Sequence, residues 1–359
     1  QDTGSASSQP QQKGACVSPD SVLPEAMPLL TRRDLVRGAW TLAVILFICI
    51  ASYFTALSNG FTLDDEVIIV RNEHIRSLSA MPRLFTMNWW NMAPASAAGN
   101  VYRPLAAASY TLDVVLGGNR ATDSMSVASP RKRPDARFMH VTSVAYHFLA
   151  SAVLYCFLLT LLPSGSGIFA AGVGAAIFAC HPVHVEAVAS LVGRAEVLTG
   201  LFCFAAATVW VHGRDRTLWT IASAMLWFLG LLSKEMAITL PALLVMVDIV
   251  RNRRRTLIGW VRCYAPYVFF LALYVAMRHV ALRGTQVESY LAMPPSRVSY
   301  LERVMTMAHA FATYLRLAVL PVDLSSDYGG FPITRTLLSP VFLASLALHV
   351  MLIGASAFA

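Results

Sequence analysis

Apolar residues in this chain come in long blocks, not in alternating singles. Trp40 to Leu57, His140 to Leu162, Ala195 to Val211 and Leu257 to Leu282 are dominated by apolar side chains. Runs of about 17 to 25 such residues predict helices that cross a bilayer core. Shorter blocks of the same kind are Ile168 to Cys180, Leu218 to Leu232, Met236 to Val250, Val298 to Leu320, and a run opening near Leu337. Together they predict about nine spans and an all-α polytopic membrane protein. The block Ile168 to Cys180 is rich in Gly and Ala, which suits close packing against neighbouring helices. Pro266 is expected to interrupt the seventh span.

The polar stretches divide the rest. Residues 1–37 read as a cytosolic tail, disordered because Ser, Gln and Pro prevail there without periodicity. Residues 38–359 form the transmembrane domain. Within it, residues 58–139 make a long far-side loop. Ser79 to Trp90 and Pro104 to Leu116 are expected as short helices lying at the interface. Trp89 and Trp90 suit the headgroup belt. Residues 117–137, with Gly-Gly, Ser, Pro and Arg131-Lys132-Arg133, read as a flexible insertion. Pro182 to Arg194 is expected as a short helix with Pro182 at its first position.

Composition agrees. Of 359 residues 56% are hydrophobic and 13% charged, and the mean hydropathy of +0.57 is far above that of a soluble domain. The net charge of +8 does not imply nucleic acid. Arg32, Arg33 and Arg37, the turn His212 to Arg216, and the run Arg251 to Arg255 flank apolar blocks, where basic residues mark the cytosolic side. The cysteines fall mostly in or beside apolar blocks, so no disulfide framework is implied. The first apolar block is too long and too far from the start for a signal peptide, and is expected to remain as an anchor. The chain opens without Met and ends inside an apolar run, as a piece cut at one or both ends would.

The alternation set by the basic clusters brings other polar groups to the far side. Asp64, Asp65 and Glu66 follow the first span. Tyr102-Arg103 lie in the long loop, His181, His184, Glu186, Arg194 and Glu196 between spans three and four, and Lys234-Glu235 between spans five and six. Ionisable groups near a membrane are often functional, although many only mark span ends. Adjacent carboxylates repel, which favours a proton on one of them and suits a general base acting on a hydroxyl. The same triplet also reads as a helix-end flag or a metal site. His181 and His184 have a spacing that can share a metal, but no third ligand is fixed and no metal is expected. Glu186, Ser190 and Arg194 are spaced to line one helix face. Lys234, whose only lysine companions are Lys13 and Lys132, either pairs with its neighbour Glu235 or holds a phosphate. Arg103, Arg194 and Lys234 together can neutralise a lipid phosphate.

Several motifs in order resemble one family. They are Phe61-x-Leu63-Asp64-Asp65 with Asn72, Tyr102-Arg103-Pro104-Leu105, His181-Pro182-Val183-His184-x-Glu186-Ala187-Val188, Gly193-Arg194-Ala195-Glu196, Ser233-Lys234-Glu235, and Tyr314-Leu315-Arg316 with Ser326-Asp327-Tyr328. They are similar to those of the transmembrane and tetratricopeptide-repeat O-mannosyltransferases. The resemblance implies a GT-C-like helical bundle in the endoplasmic reticulum membrane, with residues 58–139 in the lumen. It implies transfer of mannose from dolichyl phosphate mannose to Ser or Thr hydroxyls of a lumenal or secretory protein. The partners would be the lipid-linked sugar donor, the acceptor protein and membrane lipid, with no cofactor beyond the donor. Asp64 or Asp65 would be the general base, with Glu66 able to share the role. Arg103, His181, His184, Arg194, Lys234 and Glu235 would shape the donor phosphate site. The insertion at 117–137 and the lack of repeats within the chain depart from the family pattern. Two rival readings stay open, a membrane transporter and an inactive membrane scaffold. A transporter places its charges near the midplane, whereas here they cluster at one end of the spans.

Overall fold

A computed structural model of the chain describes residues 32–90, 101–120, 133–162, 166–213, 216–251, 255–283, 298–325, 328 and 331–358. The tail at 1–31 and most of the expected insertion, 121–132, lie outside the described residues. The chain divides into two compact units, 1–40 and 41–359. The described part of the first is helical.

The protein is built almost entirely of helices. They are α1 (Arg32–Tyr53), the single turn α2 (Met81–Leu84), α3 (Pro104–Gly117), α4 (Ala136–Leu161), α5 (Ser166–Cys180), α6 (Val185–Ala189), α7 (Arg194–Gly213), α8 (Thr217–Ser233), α9 (Leu240–Val250), α10 (Leu257–Leu282), α11 (Tyr300–Val319) and α12 (Pro340–Phe358). A helix thus stands wherever an apolar block occurs. Four of them, α1, α4, α7 and α10, are long and apolar enough to cross a membrane. A fifth span is obtained if Gly167–Cys180 and Pro182–Ala189, bent by 46° about His181, count as one. The expected figure of about nine is not reached by this measure. Helices α8 and α9 are short, and α11 carries Glu302, Arg303 and Arg316 among its apolar residues.

Local sequence explains most helix ends. Asp135 caps α4 by accepting from the amides of Arg137 and Phe138. Ser299 and Glu302 form a reciprocal capping box at α11. Pro241 stands in the first turn of α9, so the sixth apolar block begins as a 3-10 turn, Glu235–Thr239, before becoming α-helical. Pro266 does not interrupt α10, which continues through it. Bundle packing and the low water content of a membrane tolerate such a proline.

In the second unit α7 packs on α4 and α8, α8 on α10, α4 on α5, and α11 on α12. The loop after α1 departs from the interfacial reading. Within Ser79 to Trp90 the helical pieces are short, chiefly the 3-10 turn Leu78–Ala80 and the single turn α2. Helix α3 lies against α4 and α8 with nine of its residues buried. Trp89 is not in a headgroup belt: its ring is buried 6.1 Å from that of Tyr110. Small residues at Ala106, Ala107 and Ala108 let α3 seat in the bundle, which removes Trp89 from the surface. The ends of the expected insertion are joined by a two-residue antiparallel ladder pairing Asn119 with Pro134 and Arg120 with Arg133.

Candidate active site

The acidic triplet is split by the backbone that carries it. The chain leaves α1 through a 3-10 turn and reverses at Leu63, which has a φ of 45°. A branched-chain residue in that region is strained. Leu63 is 91% exposed, so no packing compels the conformation. The turn sends the three carboxylates in different directions.

Asp65 points inward and is 1% exposed. Its Oδ2 accepts from the Thr62 amide at 3.1 Å, and its Oδ1 accepts from the Val192 amide at 3.0 Å. Burial pushes its carboxyl above the usual aspartate range, and these backbone donors only partly offset that. Glu66 turns sideways to an ion pair with Arg133 at 3.1 Å. Asp64 faces outward and makes no hydrogen bond or ion pair to any described residue.

The cations converge as the alternation requires, but with different partners. Lys234 does not pair with Glu235. Its ammonium reaches Glu196 at the start of α7, at 2.6 Å. Glu235 instead receives the Arg103 guanidinium, Nη2 at 3.2 Å and Nε at 3.5 Å. Arg103 also lies over the Trp89 ring, 5.9 Å from its centroid. Burial pushes the Glu235 carboxyl up, but its backbone hydrogen bond, Arg103 and Lys234 outweigh that and hold it below the usual glutamate range. In both pairs the acid is the more exposed partner: 41% against 17% for Glu235–Arg103, and 55% against 20% for Glu196–Lys234.

Arg194 has another place. It is fully buried, and every N–H of its guanidinium is engaged. Nε donates to Ser143, Nη1 to Asp113 and Ser109, and Nη2 to the Met139 carbonyl and Thr142. The Tyr110 and Tyr146 rings flank it at 4.9 and 5.6 Å. It does not share a helix face with Glu186, because the chain breaks at Ser190 to Gly193 between α6 and α7. Arg194 thus joins α3, α4 and α7 from within and presents no donor outward. Asp113, its buried partner, was not foreseen. The signal available was a single carboxylate in the apolar stretch 104–116.

His181 caps the turn before α6, its Nδ1 accepting from the Val183 amide at 3.3 Å. His184 packs on Phe178 at 4.4 Å and near His147 at 5.7 Å. Among the described residues no three His, Cys, Asp or Glu side chains gather as a metal site.

One buried residue shows that these parts form one neighbourhood. The Tyr110 phenol on α3 has Arg194, Asp65, Arg103 and Asp113 as its electrostatic neighbours. The loop after α1 is bonded to the loop before α7 through Asp65 and Val192, and the start of α3 and the start of α7 reach the segment after α8 through Arg103–Glu235 and Lys234–Glu196. At the opposite helix ends a separate cluster forms. The buried Asp248 of α9 accepts from Trp210 of α7 at 3.2 Å and pairs with Arg255 before α10, while Arg251 bonds the Thr160 carbonyl of α4. Asp327 is not among the described residues, and Tyr328 donates no contact to either cluster.

No protein-family model matches the chain. Among curated proteins, protein O-mannosyl-transferase Tmtc1 of Drosophila melanogaster is 31% identical over 234 residues, 63% of this chain and 24% of the relative. Protein O-mannosyl-transferase Tmtc2 of the same organism is 28% identical over 301 residues, 77% of this chain and 29% of the relative. A protein O-mannosyl-transferase of Caenorhabditis elegans is 24% identical over 304 residues, 81% of this chain and 39% of the relative. The chain spans about a quarter to two-fifths of the length of these relatives. They are members of the family that the motifs resemble, so the family resemblance is borne out.

Proposed function

We propose that this chain is the membrane part of a protein O-mannosyltransferase of the endoplasmic reticulum that uses dolichyl phosphate mannose. The observation that supports the reading is that Asp65, next to Asp64, is tied to the loop before α7, whose first turn carries the Glu196 that pairs with Lys234, while Arg103 pairs with the neighbouring Glu235. The names of the relatives supply mannose and a protein acceptor.

The chemistry assigns one role to each group. Asp64 is the general base: a Ser or Thr hydroxyl of the acceptor attacks C1 of the mannosyl group and gives its proton to the Asp64 carboxylate. The bond from C1 to the phosphate oxygen breaks, and dolichyl phosphate leaves with the electron pair. Arg103 and Lys234 stabilise the charge on that phosphate, so the reaction calls for no metal. Asp65 holds the turn, and Glu66 tethers it to Arg133. Arg194 sets the distance between α3 and α7 from behind. His181 and His184 shape the rim beside Glu186, which lies in the field of Glu196 and Lys234.

The test uses the full chain in detergent with radiolabelled dolichyl phosphate mannose and a lumenal protein extract. Label is expected in acceptor protein with the wild type and not with Asp64→Asn. Undiminished transfer by Asp64→Asn would sink the base assignment. Absence of donor binding by the wild type would sink the transferase.

A further inference from the structure

Helix α10 brings two polar side chains to the same end of the bundle, and neither belongs to a motif. Tyr274 is 4% exposed, its ring 5.9 Å from that of Tyr102. The Tyr102 hydroxyl is satisfied, donating to the Phe85 carbonyl at 2.8 Å. The Tyr274 hydroxyl is not: it makes no hydrogen bond of ordinary geometry to the described residues. Yet it stands in a charged setting. The Arg278 guanidinium lies against it, and Glu235 and Arg103 are its other electrostatic neighbours. Arg278 can only donate to it, and a buried hydroxyl whose hydrogen has no acceptor is costly and calls for an explanation.

Glu235 supplies one. Its carboxylate takes two bonds from Arg103 in the manner of an anion held by a guanidinium fork. It is also the outer member of the pair, with room to leave.

We infer that Arg103, Tyr274 and Arg278 form a subsite for the phosphate of a lipid-linked donor, and that the Glu235 carboxylate holds this position when no phosphate is bound. The inference rests on the reading of the chain as a transferase with a phosphate-bearing donor. A phosphate has more acceptor oxygens than a carboxylate. It can take the Arg103 fork and still offer an oxygen to Arg278 and to the Tyr274 hydroxyl, whose hydrogen then gains an acceptor. Glu235 turns outward as the phosphate enters. Binding is therefore an exchange of anions, and a bare cationic hole never faces the bilayer.

The experiment measures binding of a polyprenyl phosphate to the full chain in lipid nanodiscs, with inorganic phosphate as a competing probe. Tyr274→Phe and Arg278→Gln are each expected to weaken binding about tenfold, since each removes a bond to a charged group. Glu235→Gln is expected to tighten it about tenfold, because the resident anion is gone. Competition by inorganic phosphate, with the same order of variants, supports a subsite that reads the phosphate alone. Failure of inorganic phosphate to compete, with that order kept, supports a subsite filled only from the lipid. If Glu235→Gln instead loses binding together with thermal stability, the residues only pack and the proposal is overturned. If the wild type binds and none of the variants differs from it, the subsite is wrong while the transferase reading stands. If the wild type binds no polyprenyl phosphate, both fall.

Discussion

Asp65 and Val192 lie 127 positions apart, and a 3.0 Å hydrogen bond from the Val192 amide to Asp65 Oδ1 joins them. The bond anchors the turn after α1 to the loop before α7. It turns one carboxylate of the triplet into a fastening and leaves its neighbour Asp64 outside. Two adjacent aspartates in one motif therefore have separable duties.

Asp64→Asn should leave stability nearly unchanged, since the exposed side chain makes no hydrogen bond or ion pair to a described residue. Asp65→Asn should cost about 1–3 kcal/mol, because an amide cannot accept from both the Thr62 and Val192 amides as the carboxylate does. Unfolding curves of the two variants, set beside their transfer rates, check this. Equal destabilisation by both would contradict the division.

The pH dependence of stability should carry the signature of Asp65. Burial raises its carboxyl in the folded state above the value of about 3.9 in an unfolded chain. The folded protein then binds the proton more tightly than the unfolded one. Its contribution grows as pH falls from neutrality through the raised value and is complete below about 4. Subtracting the pH profile of Asp65→Asn from that of the wild type should leave a difference that rises on acidification. A flat difference would show an unperturbed carboxyl.

Arg194→Met should be among the most damaging single changes, at about 3–5 kcal/mol, because it strands the buried Asp113 carboxylate. The double change Arg194→Met with Asp113→Leu should recover much of the loss, since no charge is then left unpaired. Thermal unfolding of the single and double variants decides it, and a double variant worse than the single would refute it.

Gly193→Ala should distort the loop that presents the Val192 amide. A Cβ there would come within 2.6 Å of the Glu186 carbonyl oxygen and 2.9 Å of the Ala187 Cα, both backbone atoms with little freedom to give. A cost of about 1–3 kcal/mol is expected, with loss of transfer alongside it as Asp65 loses its anchor. Full transfer by a stable Gly193→Ala protein would show that the loop tolerates the shift.

Much of the architecture was legible because hydrophobic blocks and basic clusters are local signals. Every apolar block became a helix, and the ends that alternation placed together do meet. Pairing was less legible, because Arg103 finds Glu235 across 132 positions and no periodicity encodes that. Lys234 and Glu235, though adjacent, point to different partners since the backbone between α8 and α9 is extended at Lys234. Arg194 stood in a motif beside exposed acids, and only the three-dimensional packing of α3 reveals it as an interior tie. Tyr274 and Arg278 were hidden for the opposite reason: inside an apolar block, an arginine near the end reads as a span-end marker.

The Asp248–Trp210–Arg255 cluster at the far helix ends has a mechanical consequence. With α4, α7, α9 and α10 held by charged contacts at that end, and α3, α7 and α8 held by Arg194, Arg103 and Lys234 at the other, the helices have little freedom to slide along their axes. A carrier must release one end in each cycle to expose its cargo alternately. A frame pinned at both ends fits a site whose groups stay where folding put them better than it fits such a cycle.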